Sequence, residues 1–418
     1  MHPIPRGRTG FGRRRLGAAA LAAVLARPAL AQAPAELRLG AIFPLSGPLA
    51  LLGDESFRGV ELAIEERNAA GGALGRPLRL VRADAPDEAA AAAETRRLVA
   101  GNERVAAIFG SFASSVALPG SQVAEAAGVT WFELGAIGDA VVERGFRWVF
   151  RAAPRATDFA AVAIEGVTDV LAPGFALPPE RLRLAIAHEE APGGVSVGAA
   201  QEAMARARGL TLVERVAYAS RAADLNALVQ RLRGLEAQVV LHTGAPGDEM
   251  LLFRAFRDAG WRPRMVIGTA GGYGLAETAR SLGEGFAGAM STDLTPFAVN
   301  ERHAPGARAF ADTYLRRYGA EPRSGHGLAA FVGARLFLEA LHRAGGVEKE
   351  RVRAAVLALD VAEGTTAAGW GARFDERGQN TRARPLLCQW QAGPQGLRQV
   401  AVHPAAAAVA DAVARLGG

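Results

Sequence analysis

The sequence predicts an α/β chain folded as two doubly wound, parallel-sheet lobes joined by a multi-stranded hinge. Three observations carry that expectation. Short apolar runs of strand length alternate with helix-length segments from residue 37 onward, which implies parallel sheets covered on both faces. The alternation comes as two series, which implies two such sheets. The chain has 418 residues, too many for one ordinary core.

The elements follow in order. Arg13, Arg14 and Arg15 precede an apolar run over 16–25 and then Ala29-Leu30-Ala31. That is the layout of an export signal cut near Ala31 or Ala33, and it is shorter than the roughly 20 apolar residues that span a bilayer. The mature chain is therefore expected outside the cytoplasm. The run LRLGAIF at 37–43 is a strand ended by Pro44. Asp54 is placed to cap a helix with the stripe Phe57, Val60 and Ile64, which Gly71-Gly72 ends. A strand at 78–83, a helix at 87–100, a strand at 105–109, a helix at 115–127 and strands at 129–132 and 148–151 complete the first series.

The second series has strands at 182–187, 212–216, 239–242 and 265–268, with helices at 199–208, 225–233 and 248–259 between them. The last third reads as helices at 305–318, 327–344 and 349–359, strand-like pieces at 371–374 and 385–390, and a small apolar helix at 405–416. The expected organisation is a signal segment 1–31, a first lobe of 35–154 plus 293–366, a second lobe of 155–292 plus 367–395, and a C-terminal tail 396–418. A chain that crosses repeatedly between lobes leaves a cleft, with the crossings as hinge.

Composition excludes some functions. The formal charge of +6 comes from the leader: six of the 48 basic residues lie in 1–31, leaving 42 against 42 acidic residues. The mature chain therefore offers no electrostatic case for nucleic acid or anionic membrane. Cys388 is the lone cysteine, so no intramolecular disulfide forms. The seven histidines (2, 188, 242, 303, 326, 342 and 403) show no metal-ligand spacing. No cofactor motif is present; Gly268-Thr269-Ala270-Gly271-Gly272-Tyr273-Gly274 is glycine-rich but is not G-x-G-x-x-G. No segment after the leader has 18 consecutive apolar residues, so the mature chain is expected not to insert in a membrane.

In open α/β sheets ligands sit beyond the carboxyl ends of strands. The loops there are PLSGPLALLGD at 44–54, GSFASS at 110–115, ELGAIGD at 133–139 and HEEAPGG at 188–194. Unpaired amides at a helix start attract an anion, and hydroxyls add donors. Ser114, with Ser115 beside it, is the best candidate for a carboxylate contact; the alternative is that either serine only caps its helix. His188, Glu189 and Glu190 either meet a ligand or form a solvated rim. Trp131 is read as a core residue.

The order PLSGPLALLGDESFRGVELAIEERNAAGG, IFGSFASS, ELGAIGD and FRWVFRAAP resembles the leucine/isoleucine/valine-type periplasmic solute-binding proteins, type I ligand receptors of ABC importers. The resemblance runs from about Leu37 through Trp390. It implies a monomeric, non-enzymatic periplasmic receptor that closes two lobes on a small ligand and hands it to an ABC permease with its ATPases. It also implies positions: Ser114 matches the serine that holds the ligand carboxylate, and Ala136 and Ile137 fall where further donors come from. Leu52, Gly193 and either Ala245 or Pro246 fall where aromatic residues usually sit, and Ala270 falls on the acid that pairs with an amino-acid ammonium.

The departures point one way. A buried ammonium needs an acceptor, and the matching acid is missing at Ala270. A ligand with a carboxylate or polar head and an apolar or aromatic body is expected in place of leucine. Glu133 is the counter-candidate, either meeting an amine or hydroxyl or acting as a second-layer hydrogen-bond partner. Tyr273 is a candidate for stacking on a ring. Two other readings stay open: a sensor with the same fold, and a Rossmann-type enzyme.

Overall fold

The computed structural model describes residues 35–101, 104–394 and 396–416, together with Gly7. Apart from Gly7, the expected leader and its cleavage point lie outside the described residues. The first half of the chain lays down β1 (Leu37–Phe43), α1 (Ala50–Ala69), β2 (Leu78–Asp84), α2 (Glu88–Val99), β3 (Ala107–Gly110), α3 (Ser114–Ala126), β4 (Thr130–Glu133) and β5 (Val149–Arg151). Its five strands order as β2-β1-β3-β4-β5, and every pair is parallel. All residues of β3, β4 and β5 are buried, as required of strands covered on both faces.

The second half begins with α4 (Ala156–Glu165) and α5 (Ala172–Gly174). It continues through β6 (Leu184–Glu189), α6 (Pro192–Ala207), β7 (Leu212–Tyr218), α7 (Asn226–Gly234), β8 (Val239–Thr243), α8 (Asp248–Asp258), β9 (Met265–Thr269), α9 (Ala276–Leu282) and β10 (Met290–Asp293). Helices α10 (Ala307–Tyr318), α11 (Gly325–Ala344) and α12 (Lys349–Leu357) precede β11 (Leu386–Gly393) and β12 (Gly396–His403). The second sheet orders as β12-β11-β10-β9-β8-β6-β7. It is parallel except where β11 joins β10 and β12 joins β11, both antiparallel.

The three C-terminal helices bury their apolar faces in the first lobe. The Phe337 ring meets Phe109 at 5.4 Å and Phe132 at 5.0 Å between centroids. Helix α11 lies close on α1 because glycine faces glycine: a methyl group at Gly59 would overlap the carbonyl of Gly327. The chain crosses between the lobes three times, at 152–155, 294–306 and 384–385. Both lobes belong to one unit, Glu36–Gly418.

Four expectations need correction. Asp54 does not cap α1; it lies one turn inside and pairs with Arg58 at 2.9 Å. Residues 367–383 join the first lobe, not the second, because Trp370, Ala372 and Phe374 enter its core. Phe374 stands 5.7 Å from Phe132, and Gln379 accepts from the Arg151 Nε at 2.7 Å. Residues beyond 395 are not a detached tail, because Gly396–His403 is the outer strand of the second sheet. In place of a helix, residues 405–407 form a turn and 408–416 run as irregular chain, with Leu416 buried in the second core.

Candidate functional site

A cavity of about 530 Å³ lies between the lobes. It sits beyond the carboxyl ends of β3, β4, β6, β8 and β9, where an open α/β sheet presents its loops. On the first-lobe side it is walled by Phe112, Ser114, Ser115 and Ile137, with Pro48 and Leu49 from the loop before α1. Ser114 is the first residue of α3 and is not its cap, which is Ala113. Its Oγ accepts the Gly138 amide at 3.0 Å, so its own proton is free to be donated. The hydroxyl therefore stands at a helix N-terminus, where backbone N–H groups favour an anion.

Glu133 and Ala136 do not line the cavity. The fully buried Glu133 carboxylate is the centre on which the wall is folded. Its Oε1 accepts the amides of Ser111 at 2.7 Å, Leu134 at 3.1 Å, Gly135 at 2.9 Å and Ala136 at 2.8 Å. Its Oε2 accepts from Trp131 Nε1 at 3.0 Å and Ser111 Oγ at 3.2 Å. The Ala136 amide, expected to serve the ligand, is thus already spent. Arg151, also fully buried, completes the clamp by donating to the carbonyls of Ala136 at 3.1 Å and Gly138 at 2.7 Å. Burial lowers its guanidinium to about 10, with Asp139 and Glu133 opposing that shift. One buried anion gathers the loop's amides and one buried cation gathers its carbonyls; Ile137 is held facing the cavity between them.

On the second-lobe side, Gly193 lies in the first turn of α6, behind Pro192. A methyl group there would stand 3.5 Å from both Ile137 Cγ1 and Ser114 Oγ. The lobes approach closely at this point, and a side chain larger than a methyl group would fill the gap beside Ile137 and Ser114. Ala245 and Ala270 also line the cavity; the Ala245 amide donates to Asp248 Oδ2 at 3.0 Å. Ala270 takes φ 42° and ψ −145°, a conformation that non-glycine residues seldom adopt.

Leu52 and Tyr273 are not brought to the site. Leu52 is fully buried within α1, and Leu49 and Pro48 take its place on the wall. Tyr273 is buried in the second core, where its hydroxyl meets His242 Nδ1 at 2.7 Å and its ring stacks on Phe286 at 6.0 Å. Trp131 is a core residue, fully buried. Of the His188-Glu189-Glu190 run, the two acids reach the cavity, while His188 is buried with Nδ1 2.9 Å from the Glu189 carbonyl oxygen.

Sequence reasoning missed several wall residues. Phe112 lies inside the motif that flagged Ser114. His326 arrives from the start of α11, far from any strand end, and packs its ring 5.2 Å from Phe112. Burial lowers the His326 imidazole to about 4, so it is neutral; its Nδ1 meets Ser324 Oγ at 3.1 Å. Burial, then the nearby Asp248, raises Glu189 to about 7. Thr243 and Thr269 end β8 and β9 on the cavity wall.

The lobes also touch outside the cavity. The Asp139 amide donates to Ser196 Oγ of α6 at 3.1 Å. Arg323 pairs with Glu277 of α9 at 3.3 Å and with Asp54 of α1 at 3.6 Å. Among the described residues no group of three or more His, Cys, Asp or Glu side chains is placed to hold a metal ion. No helix among them is long and apolar enough to cross a membrane.

A family model described as "Periplasmic binding protein" matches residues 36–394. The chain is 41% identical over 395 residues to Leu/Ile/Val-binding protein homolog 7 of Brucella suis, covering 94% of this chain and 97% of the relative. Two solved structures show the same fold. The branched-chain amino acid transporter substrate-binding protein LivJ of Streptococcus pneumoniae, in complex with isoleucine, aligns with a TM-score of 0.72 at 19% identity, covering 88% of this chain and 100% of that one. An ABC transporter solute-binding protein of R. palustris, in complex with 4-hydroxybenzoate, aligns with a TM-score of 0.74 at 19% identity, covering 88% and 96%. These are binding proteins of transporters, not enzymes. The chain belongs to the periplasmic binding protein family, with Leu/Ile/Val-binding protein homologues among its relatives.

Proposed function

We propose that this chain is the exported ligand receptor of an ABC importer and that its ligand is a small carboxylic acid with an apolar or aromatic body. The observation that carries the ligand reading is the pairing of Ser114 with Ala270. A free hydroxyl at a helix start suits a carboxylate, while Ala270, which the resemblance sets at the position of the ammonium-binding acid, offers a methyl group. Phe112, Leu49 and Ile137 give the body an apolar surface, worth roughly 25 cal/mol per Å² buried. Binding with lobe closure is the mechanism, followed by delivery to a membrane permease.

One observation favours a second reading. Glu189 lines the cavity, and among the described residues its carboxylate has one side-chain hydrogen bond, from Ser220 Oγ at 3.4 Å, so it is available to an amino-acid ammonium. Thermal shift against amino acids and against aliphatic and aromatic acids decides between the two. A ligand at 100 times its dissociation constant adds about 2.7 kcal/mol. Stabilisation by acids but not by leucine supports the first reading. Stabilisation by leucine that Glu189→Gln abolishes replaces it with the second.

A further inference from the structure

On the carboxylate reading, the first lobe grips one end of the ligand. We propose that Thr243 and Thr269 grip the other end by hydrogen-bonding a second, uncharged oxygen function, a hydroxyl or carbonyl. The substrate class is then monocarboxylic acids carrying one neutral oxygen group remote from the carboxylate. Strands β8 and β9 are parallel neighbours, with His242 opposite Gly268. One step further, Thr243 and Thr269 stand side by side on the same face of the sheet. Both line the cavity, at 4% and 2% exposure, and neither hydroxyl has a hydrogen-bond partner. Buried hydroxyls are rarely left unpaired without a use, and these two are adjacent at strand ends on a cleft wall.

The surroundings agree. On the opposite face, His242 spends both ring nitrogens, on Tyr218 at 2.9 Å and Tyr273 at 2.7 Å. Ala270, next to Thr269, holds the strained backbone noted above, and such strain gathers at ligand clamps. Away from Ser114 and the α3 N-terminus the charge of the wall disfavours a second carboxylate: Asp87, Glu88, Glu189 and Glu190 line the cavity, and Arg221, the one Lys or Arg among the described residues lining it, is exposed. Each hydroxyl oxygen is buried as it stands, so meeting a ligand takes a change of one side-chain rotamer.

Isothermal titration of matched acids tests this: 3-phenylpropionate against 3-(4-hydroxyphenyl)propionate, and hexanoate against 6-hydroxyhexanoate. Wild type is expected to bind the hydroxylated member of at least one pair tenfold or more tighter. Thr243→Val and Thr269→Val are expected to erase that preference and to leave the plain acid bound as before. Without ligand, each valine variant should melt no lower than wild type, because an unpaired hydroxyl is replaced by a methyl of the same shape. Equal weakening of both members, or a wild type without preference, overturns the proposal and leaves the carboxylate reading standing. Failure of all four acids to bind wild type overturns the carboxylate reading, and this inference falls with it.

Discussion

Glu133→Gln separates a residue that builds the cleft from one that touches its contents. The wild-type carboxylate takes six donors: the amides of Ser111, Leu134, Gly135 and Ala136, the Trp131 indole and the Ser111 hydroxyl. Glutamine keeps one oxygen for the four amides and places an NH₂ against the Trp131 N–H, donor to donor. Hydrogen bonds to a charged group contribute about 1.5–3 kcal/mol and neutral ones about 0.5–1.5, and an orphaned buried donor costs about 1–3. The charge of Arg151, which also clamps this loop, loses a compensating anion. Together these give a destabilisation of about 2–4 kcal/mol, read as a lowered midpoint in urea denaturation followed by circular dichroism. Ligand affinity of the folded fraction should fall modestly, through displacement of Ile137. An unchanged midpoint with binding abolished would show Glu133 contacting ligand and would refute the reasoning.

Further outcomes follow from the same geometry. Ser114→Ala should lose at least about tenfold in affinity for acids, in line with one charge-assisted hydrogen bond, and lower stability by only about 1 kcal/mol; normal binding would reduce Ser114 to a structural acceptor for Gly138. Gly193→Ala should bind and Gly193→Trp should not, both remaining folded by circular dichroism, because only the larger side chain fills the gap beside Ile137 and Ser114. Burial holds the Glu55 and Asp293 carboxyls up at about 7. Between the unfolded and folded values the native state carries more protons, so their effect is full stability at low pH that is lost as pH rises toward 7. Buried His242 (about 3) and His326 (about 4) act in the opposite sense, losing stability as pH falls below the ordinary histidine range. Melting temperature should therefore peak near about pH 5 and fall toward both pH 3 and pH 8, with Glu55→Gln shallower on the alkaline side.

Much of the fold was legible because apolar runs and glycine stops mark parallel strands and their covering helices directly. Ser114 was legible for the same reason, standing where a strand ends and a helix starts. What failed was the question of which groups remain free once the loops close. The Ala136 amide looked available, but the β3–β4 register sets Gly110 beside Glu133 and brings that carboxylate under the loop. The glycine-rich stretch after β9 proved to be packing: Gly268 leaves space for the Tyr273 ring, Gly272 for the Glu249 carboxylate and Gly274 for Asp293. Tyr273 is therefore a core ring. His326 carries no local signal, since only the return of α11 to the first lobe delivers it. Residues 367–383 misled because short, glycine- and alanine-rich pieces do not declare which core they join.

The most direct test is the crystal structure of the protein grown with whichever acid raises its melting temperature most. The account predicts electron density enclosed between the lobes, with a carboxylate oxygen about 3 Å from Ser114 Oγ and the body against Phe112 and Ile137. Density for that acid outside the cleft, or a ligand oriented with its carboxylate away from Ser114, would contradict it.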